Sequence, residues 1–280
     1  LFKKHKLDSN YSIGVFDSGV GGLTVFEEIV NALPQYNFIY LGDNARVPYG
    51  TRSFDTVYQY TLEGVTKLHE LGCRLIIIAC NTASAKALRT IQQNDLLKFE
   101  HPFKVLGVIR PTTEEIGGLT KTNKVGILAT PGTVNSQSYV IELNKLHPQV
   151  QVFQEACPMW VPLIENNDFN NEGGLYFIKK NIQNLLSQSP DIDTIILGCT
   201  HYPLIMDIIK QNIPSHIKVV SQGNIVANSL KDYLIRHTEI ETILQKEGKR
   251  LFLTTEDPNL FDEKAKLFVK NQINSQIIEI

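Results

Sequence analysis

Cys80 and Cys199 occupy matching settings in the sequence. Cys80 follows the apolar run Leu75-Ile76-Ile77-Ile78-Ala79 and precedes Asn81-Thr82, while Cys199 follows Thr194-Ile195-Ile196-Leu197-Gly198 and precedes Thr200-His201. Each run is short, bounded and rich in β-branched residues, the pattern of a buried parallel strand. Each thiol is therefore expected where a strand gives way to a loop, the edge at which open α/β sheets hold their ligands. One cysteine there is explained by packing. Two, each beside small hydroxyl or amide residues, point to a reaction that uses a thiol on either side of its substrate.

Other polar groups cluster at similar junctions. Asp17-Ser18-Gly19-Val20-Gly21-Gly22 is a glycine-rich turn with neither the GxGxxG pattern nor the terminal Lys-Ser/Thr of a phosphate loop. Its glycines let backbone amides approach a small anion such as a carboxylate. Asp17 suits orienting a donor, binding an ammonium or tuning a base; capping a turn is its plainer role. Asn81-Thr82, Thr200-His201, Gly42-Asp43-Asn44 and Pro48-Tyr49-Gly50 add compact donors and acceptors, which suits a small, doubly polar substrate. His201 is close enough in sequence to tune Cys199, and Glu165 could orient that histidine. Those three residues would also fit a Cys/His/acid hydrolase, but Cys80 then has no role. Zinc on Cys80, Cys199 and His201 is disfavoured, because closely paired ligands are missing and the metal would clamp both thiols. Cys73 and Cys157 read as small buried hydrophobes, with Cys157-Pro158-Met159-Trp160 as packing or a pocket wall.

The elements that must position these groups alternate. Strands are predicted at 11–16, 36–42, 74–79, 104–108, 124–129, 149–154 and 193–198, with later ones near 217–221 and 250–254. Helices are predicted at 22–32, 52–71, 83–93, 133–146, 173–187, 203–211, 223–236 and 259–270, with Gly72 ending the second and Pro203 near the start of the sixth. Ile13-Gly14-Val15-Phe16-Asp17-Ser18-Gly19 is echoed by Val125-Gly126-Ile127-Leu128-Ala129-Thr130-Pro131. Gly14 and Gly126 are 112 residues apart, Cys80 and Cys199 119 apart. Two landmarks with similar offsets suggest two α/β units. The expected class is α/β, with two pseudo-symmetric three-layer domains, largely parallel sheets and an interdomain active site. The first domain is placed at 1–108 plus 217–280 and the second at 109–216, with a crossover near Pro111-Thr112-Thr113.

Composition narrows the function. The chain has 280 residues, 42% hydrophobic and 20% charged, with 27 basic and 29 acidic side chains for a net charge of -2. That balance lacks the positive field of a dedicated nucleic-acid binder. The Lys3, Lys4 and Lys6 cluster reads as a solvated terminus. No apolar stretch is long enough to span a bilayer, and Leu1 to Leu7 lacks a secretory hydrophobic region. Four cysteines without a CxxC pair favour a reducing compartment, hence the cytoplasm.

Three segments in order, Gly42-Asp43-Asn44-Ala45-Arg46-Val47-Pro48-Tyr49-Gly50, Ala79-Cys80-Asn81-Thr82-Ala83-Ser84-Ala85 and Leu197-Gly198-Cys199-Thr200-His201-Tyr202-Pro203-Leu204, together with the opening Gly14 to Val25 segment, resemble the glutamate racemase family over nearly the whole chain. The resemblance implies cofactor-independent, metal-free interconversion of L-glutamate and D-glutamate, with Cys80 and Cys199 as the acid/base thiols. It implies that Asp17 assists Cys80, and that Glu165 and His201 assist Cys199. The Glu165 role follows from Cys157-Pro158-Met159-Trp160-Val161-Pro162-Leu163-Ile164-Glu165. Asp17, Ser18, Pro48, Tyr49, Gly50, Asn81, Thr82, Thr200 and His201 match substrate-pocket positions. A homodimer and a cytoplasmic role supplying D-glutamate for peptidoglycan are also implied. An aspartate-type racemase and a non-catalytic carboxylate-binding protein are the alternatives. Arg110, Ser221-Gln222 and the longer connection from Asn166 to Gly173 depart from the family pattern.

Overall fold

A computed structural model describes residues 11–280; the Lys3, Lys4 and Lys6 cluster lies outside the described residues. Among the described residues, ten strands form two sheets. They are β1 (Ser12–Asp17), β2 (Phe38–Gly42), β3 (Cys73–Ile78), β4 (Lys104–Gly107), β5 (Lys124–Ala129), β6 (Gln151–Ala156), β7 (Thr194–Gly198), β8 (Lys218–Val220), β9 (Arg250–Thr254) and β10 (Ser275–Ile277). One sheet has the order β10-β9-β2-β1-β3-β4 and the other β6-β5-β7-β8. Every pairing within them is parallel.

Parallel strands need crossovers, and here helices supply them, covering both sheet faces with apolar contacts. Leu75, Ile76, Ile77 and Ile78 of β3 and Ile195, Ile196 and Leu197 of β7 are all buried, which is why both runs read as continuous rather than alternating hydrophobics. One apolar core runs from Ile13, Val15 and Ala79 in the first sheet to Leu128, Trp160 and Leu197 around the second. Separate clusters cover the remaining faces, around Phe16, Ile76 and Ile78 in one case and Val125, Ile127 and Ile196 in the other. The expected α/β class with two parallel sheets is the architecture observed.

The sequence echo has a topological counterpart. The order β2-β1-β3-β4 in the first sheet matches β6-β5-β7-β8 in the second. Gly14 and Gly126 lie on the corresponding strands β1 and β5, and Cys80 and Cys199 follow the corresponding strands β3 and β7.

Several boundaries differ from expectation for local reasons. The helix expected at 83–93 starts at Asn81 and ends at Lys86, then passes through a short turn to a π turn at Ile91–Asp95. Gln137, at φ 55°, divides the 133–146 helix into Pro131–Ser136 and Ser138–Leu146. Pro111 lies in the first turn of a helix, Ile109–Leu119, where its missing N–H breaks no intrahelical bond. Gly72 stops Phe54–Glu70 as expected, adopting φ 89°, a region in which a Cβ is strained. The segment near 217 does not yet return to the first sheet: β8 pairs with β7, and the return begins with the helix Gly223–Arg236, which packs on Leu23–Ala32 and Ile109–Leu119. β9 and β10 then extend the first sheet beyond β2. No described helix is long and apolar enough to cross a membrane.

Candidate active site

Both thiols open onto one cavity of about 270 Å³, at the carboxyl ends of the two sheets. Ser18, Pro48, Tyr49, Gly50, Asn81, Thr82, Glu165, Thr200 and His201 share its wall. Asp17 and the Gly42-Asp43-Asn44 turn, also picked out from the sequence, are set back from that wall. A larger hollow, about 770 Å³, lies among the helices Asn81–Lys86, Ile109–Leu119, Ser138–Leu146 and Gly223–Arg236 and reaches neither thiol.

Cys80 caps the helix Asn81–Lys86, its Sγ accepting the Ala83 N–H at 3.4 Å. Burial, followed by the nearby charge of Asp17, pushes its thiol up to about 12, against the opposing pull of hydrogen bonds from Ser18 and Ala83. Asp17 ends β1 and is fully buried. Its Oδ2 accepts the Gly19 N–H at 3.0 Å, while its Oδ1 is buried without a hydrogen-bond partner. Burial raises this carboxyl to about 6; the His201 charge and the Gly19 and Gly22 amides only partly offset it.

The Cys199 side is built differently. Cys199 Sγ lies 3.8 Å from His201 Nδ1, and His201 Nε2 lies 2.9 Å from Glu165 Oε1. Burial opposes a charged ring, but the hydrogen bonds and charges of Cys199 and Glu165 outweigh it and hold His201 at about 10. Burial likewise opposes ionisation of Glu165, yet His201 and Lys264 hold its carboxyl down at about 2. Glu165 reaches this position because Trp160–Glu165 forms a short helix anchored by buried Trp160 and Ile164. Lys264, absent from the residues singled out by sequence, contacts Glu165 Oε2 at 3.2 Å.

The remaining polar groups are largely committed to one another. Tyr49 donates its hydroxyl to Asp43 Oδ2 at 2.5 Å, and Asp43 also receives Arg46 Nε at 2.7 Å. Thr24 Oγ1 donates to the Thr200 carbonyl at 2.8 Å. Asn81 Nδ2 donates to Gln222 Oε1 at 2.6 Å, and the Tyr139 hydroxyl donates to Asn81 Oδ1 at 2.7 Å. Gln222 Nε2 in turn reaches Tyr139 Oη at 2.7 Å and Thr112 Oγ1 at 3.0 Å, closing a buried ring of contacts where both inter-sheet connections pass. The Ser221-Gln222 departure from the family pattern therefore sits behind Asn81. Arg110 points elsewhere: it is exposed and pairs with Glu114 and Glu142.

Thr130 and Pro131 also line the cavity and were not among the sequence candidates. Their position after β5 is equivalent to Ser18-Gly19 after β1, so the internal echo held the signal that marks them. Thr130 Oγ1 lies 2.9 Å from Thr82 Oγ1, and the Gly132 N–H donates to the Gly50 carbonyl at 2.7 Å. These two contacts join the loops of the two halves across the cavity. All four cysteines are free. Cys73 is remote from the cavity in the first sheet, whereas Cys157 forms part of its wall. Among the described residues, no three His, Cys, Asp or Glu side chains are grouped so as to hold a metal ion.

Residues 13–230 match the family described as Asp/Glu/Hydantoin racemase, and the chain belongs to that family. It is 40% identical over 256 residues to a protein from Bacillus cereus named glutamate racemase, covering 91% of this chain and 92% of the relative. A glutamate racemase from Sulfurihydrogenibium sp. is 38% identical over 269 residues, with 96% and 97% covered. Among solved structures, a glutamate racemase isoform from Bacillus anthracis superposes with a TM-score of 0.87 at 34% identity, covering 96% of this chain and 98% of that one. A glutamate racemase from Francisella tularensis, solved in complex with D-glutamate, gives 0.85 at 30% identity, covering 97% and 98%. An aspartate racemase from Picrophilus torridus, at 0.54 and 16% identity over 92% of this chain and 99% of that one, shares the fold alone. The resemblance read from the motifs is thus borne out along nearly the whole chain.

Proposed function

We propose that the chain is a glutamate racemase that inverts L-glutamate and D-glutamate by proton transfer between Cys80 and Cys199. The observation that carries this reading is the placement of both thiols on one small cavity, at equivalent ends of β3 and β7. In one direction a thiolate removes the α-hydrogen as a proton, and the C–H electron pair passes into the carboxylate-bearing carbon. The opposite thiol then delivers its proton to the other face, and the reverse reaction exchanges the roles.

An ordinary cysteine titrates near pH ~8.5, so either base must be assisted. At Cys80, the buried Asp17 charge opposes a second anion. An arriving substrate ammonium offsets both negative charges and favours the thiolate. At Cys199, the His201–Glu165 pair stands ready to take and return a proton. Amides and hydroxyls of Ser18, Asn81, Thr82 and Thr200 are the donors proposed for the carboxylate, where charge develops in the transition state. Closure of the two halves, taken as the domains, excludes water and strengthens those contacts.

The same reading includes catalysis without pyridoxal phosphate or added metal, L- and D-glutamate as the ligands, and a cytoplasmic homodimer supplying D-glutamate for peptidoglycan. It includes no nucleic-acid or membrane partner. One observation favours a second reading: the Cys199–His201–Glu165 chain has the connectivity of a hydrolytic triad. Glutamate stereoinversion followed in heavy water, with neither metal nor pyridoxal phosphate added, tests the proposal. Inversion with α-deuterium incorporation is expected. Robust inversion of aspartate with glutamate inert, or hydrolysis of an ester or amide without inversion, would overturn it.

A further inference from the structure

We propose that Lys264 is a positioning residue for the Cys199 side of the site, coupling closure of the two halves to the His201–Glu165 pair. This rests on the racemase reading given above. Lys264 lies on the helix Pro258–Ala265, between β9 and β10 of the first sheet, whereas Glu165, His201 and Cys199 belong to segments around the second. The contact is therefore made between the halves and requires them to be together.

The geometry divides the Glu165 carboxylate between two cations. Oε1 faces His201 Nε2 at 2.9 Å, and Oε2 faces Lys264 Nζ at 3.2 Å. Glu165 is also the last residue of its helix, where the backbone dipole disfavours an anion. Lys264 opposes that effect and restrains the carboxylate from turning away from the ring. A second contact comes from the same C-terminal segment: Phe268 presents a perpendicular ring to His201, with centroids 5.3 Å apart. Acid and imidazole are thus both braced from the first half.

The Lys264 side chain is 43% exposed, so its ion pair contributes little to global stability. Its effect falls on the orientation of a proton-transfer group, where small displacements are costly. The ionisable groups acting on the Glu165–His201 pair are Cys199, Lys264 and the buried Asp17. Lys264 is the one among them that stands outside the transfer chain and reaches in from the solvent.

The test compares the wild-type protein with Lys264→Met and Lys264→Arg. Glutamate inversion is measured across pH, and the His201 imidazole is titrated by NMR in the same proteins. Lys264→Met is expected to lower kcat/KM roughly tenfold, with the thermal midpoint little changed, and to move the His201 titration by at least ~0.5 pH unit. Lys264→Arg is expected to restore both. An unchanged pH profile and His201 titration in Lys264→Met would overturn the proposal, as would an Arg variant as impaired as the Met variant. Failure of the wild-type protein to invert glutamate would overturn the racemase reading instead, and the NMR titration would still decide whether Lys264 positions the pair.

Discussion

Gly21 lies directly against His201: a Cβ on Gly21 would stand 2.3 Å from Cε1 and 2.4 Å from Nδ1 of that ring. The glycine turn after β1 is thus a seat for a histidine from the other half. Gly21→Ala should push the ring off its contacts with Cys199 and Glu165 and reduce inversion on the order of 10²-fold, with the fold retained by circular dichroism. Wild-type turnover in this variant would show that ring placement is not critical.

The two cysteines should be separable by isotope exchange. Cys80→Ser and Cys199→Ser are each expected to lower the inversion rate by about 10³-fold, since serine is a poor base at neutral pH. Residual α-deuterium exchange, where it survives, should begin from opposite enantiomers in the two variants. Cys73→Ala, altering a buried thiol remote from the cavity, should leave inversion intact. Exchange from the same enantiomer in both serine variants would contradict the assignment of one thiol to each face.

Asp17 trades stability for its place beside Cys80. Its carboxyl is raised from an ordinary 3.8 to about 6, so the folded state holds that proton more tightly than the unfolded chain. The native protein is therefore penalised as pH climbs through this interval, by roughly 3 kcal/mol once ionisation is complete. Asp17→Asn should match wild type in stability near pH ~3.5, gain on it progressively towards pH ~6, and keep that advantage above. Its inversion activity should fall on the order of 10²-fold. Urea unfolding at several pH values measures the first effect; a variant less stable than wild type at pH ~7 would refute it.

Gln222 and Asn81 form a coupled buried pair. Gln222→Ala would strand the Asn81 amide and remove the contacts to Thr112 and Tyr139, costing about 1–3 kcal/mol. Combined with Asn81→Ala, the losses should be markedly less than additive. Strict additivity in a denaturant double-mutant cycle would mean that the two side chains do not act together.

Much of this arrangement was legible in the chain because buried parallel strands have an unmistakable composition. The isoleucine runs of β3 and β7 mark both cysteines as lying at a sheet edge. The Glu165 helix was missed: it has six residues and contains Pro162, too short for a periodic signal. Its acid entered as a possible partner for His201, and family resemblance gave it a role beside Cys199. Lys264 could not be found locally, since it meets Glu165 across 99 positions of sequence. Gln222 stood out as a departure, but its partners Asn81, Thr112 and Tyr139 come from three separate segments. The break at Gln137 depends on one left-handed residue that helix propensity does not reveal.

The parallel strand order of the two sheets delivers two thiols to one cavity, yet their supporting groups are unlike: a buried aspartate on one side, a histidine, glutamate and lysine on the other. Mirror-image substrates have equal free energies in bulk water, so no such inequality can bias the final mixture. For the proposed reaction, the Haldane relation then requires both directions to share one catalytic efficiency. The mismatch between the sides can appear only as a compensated exchange, with one enantiomer held more tightly and turned over more slowly than its mirror twin.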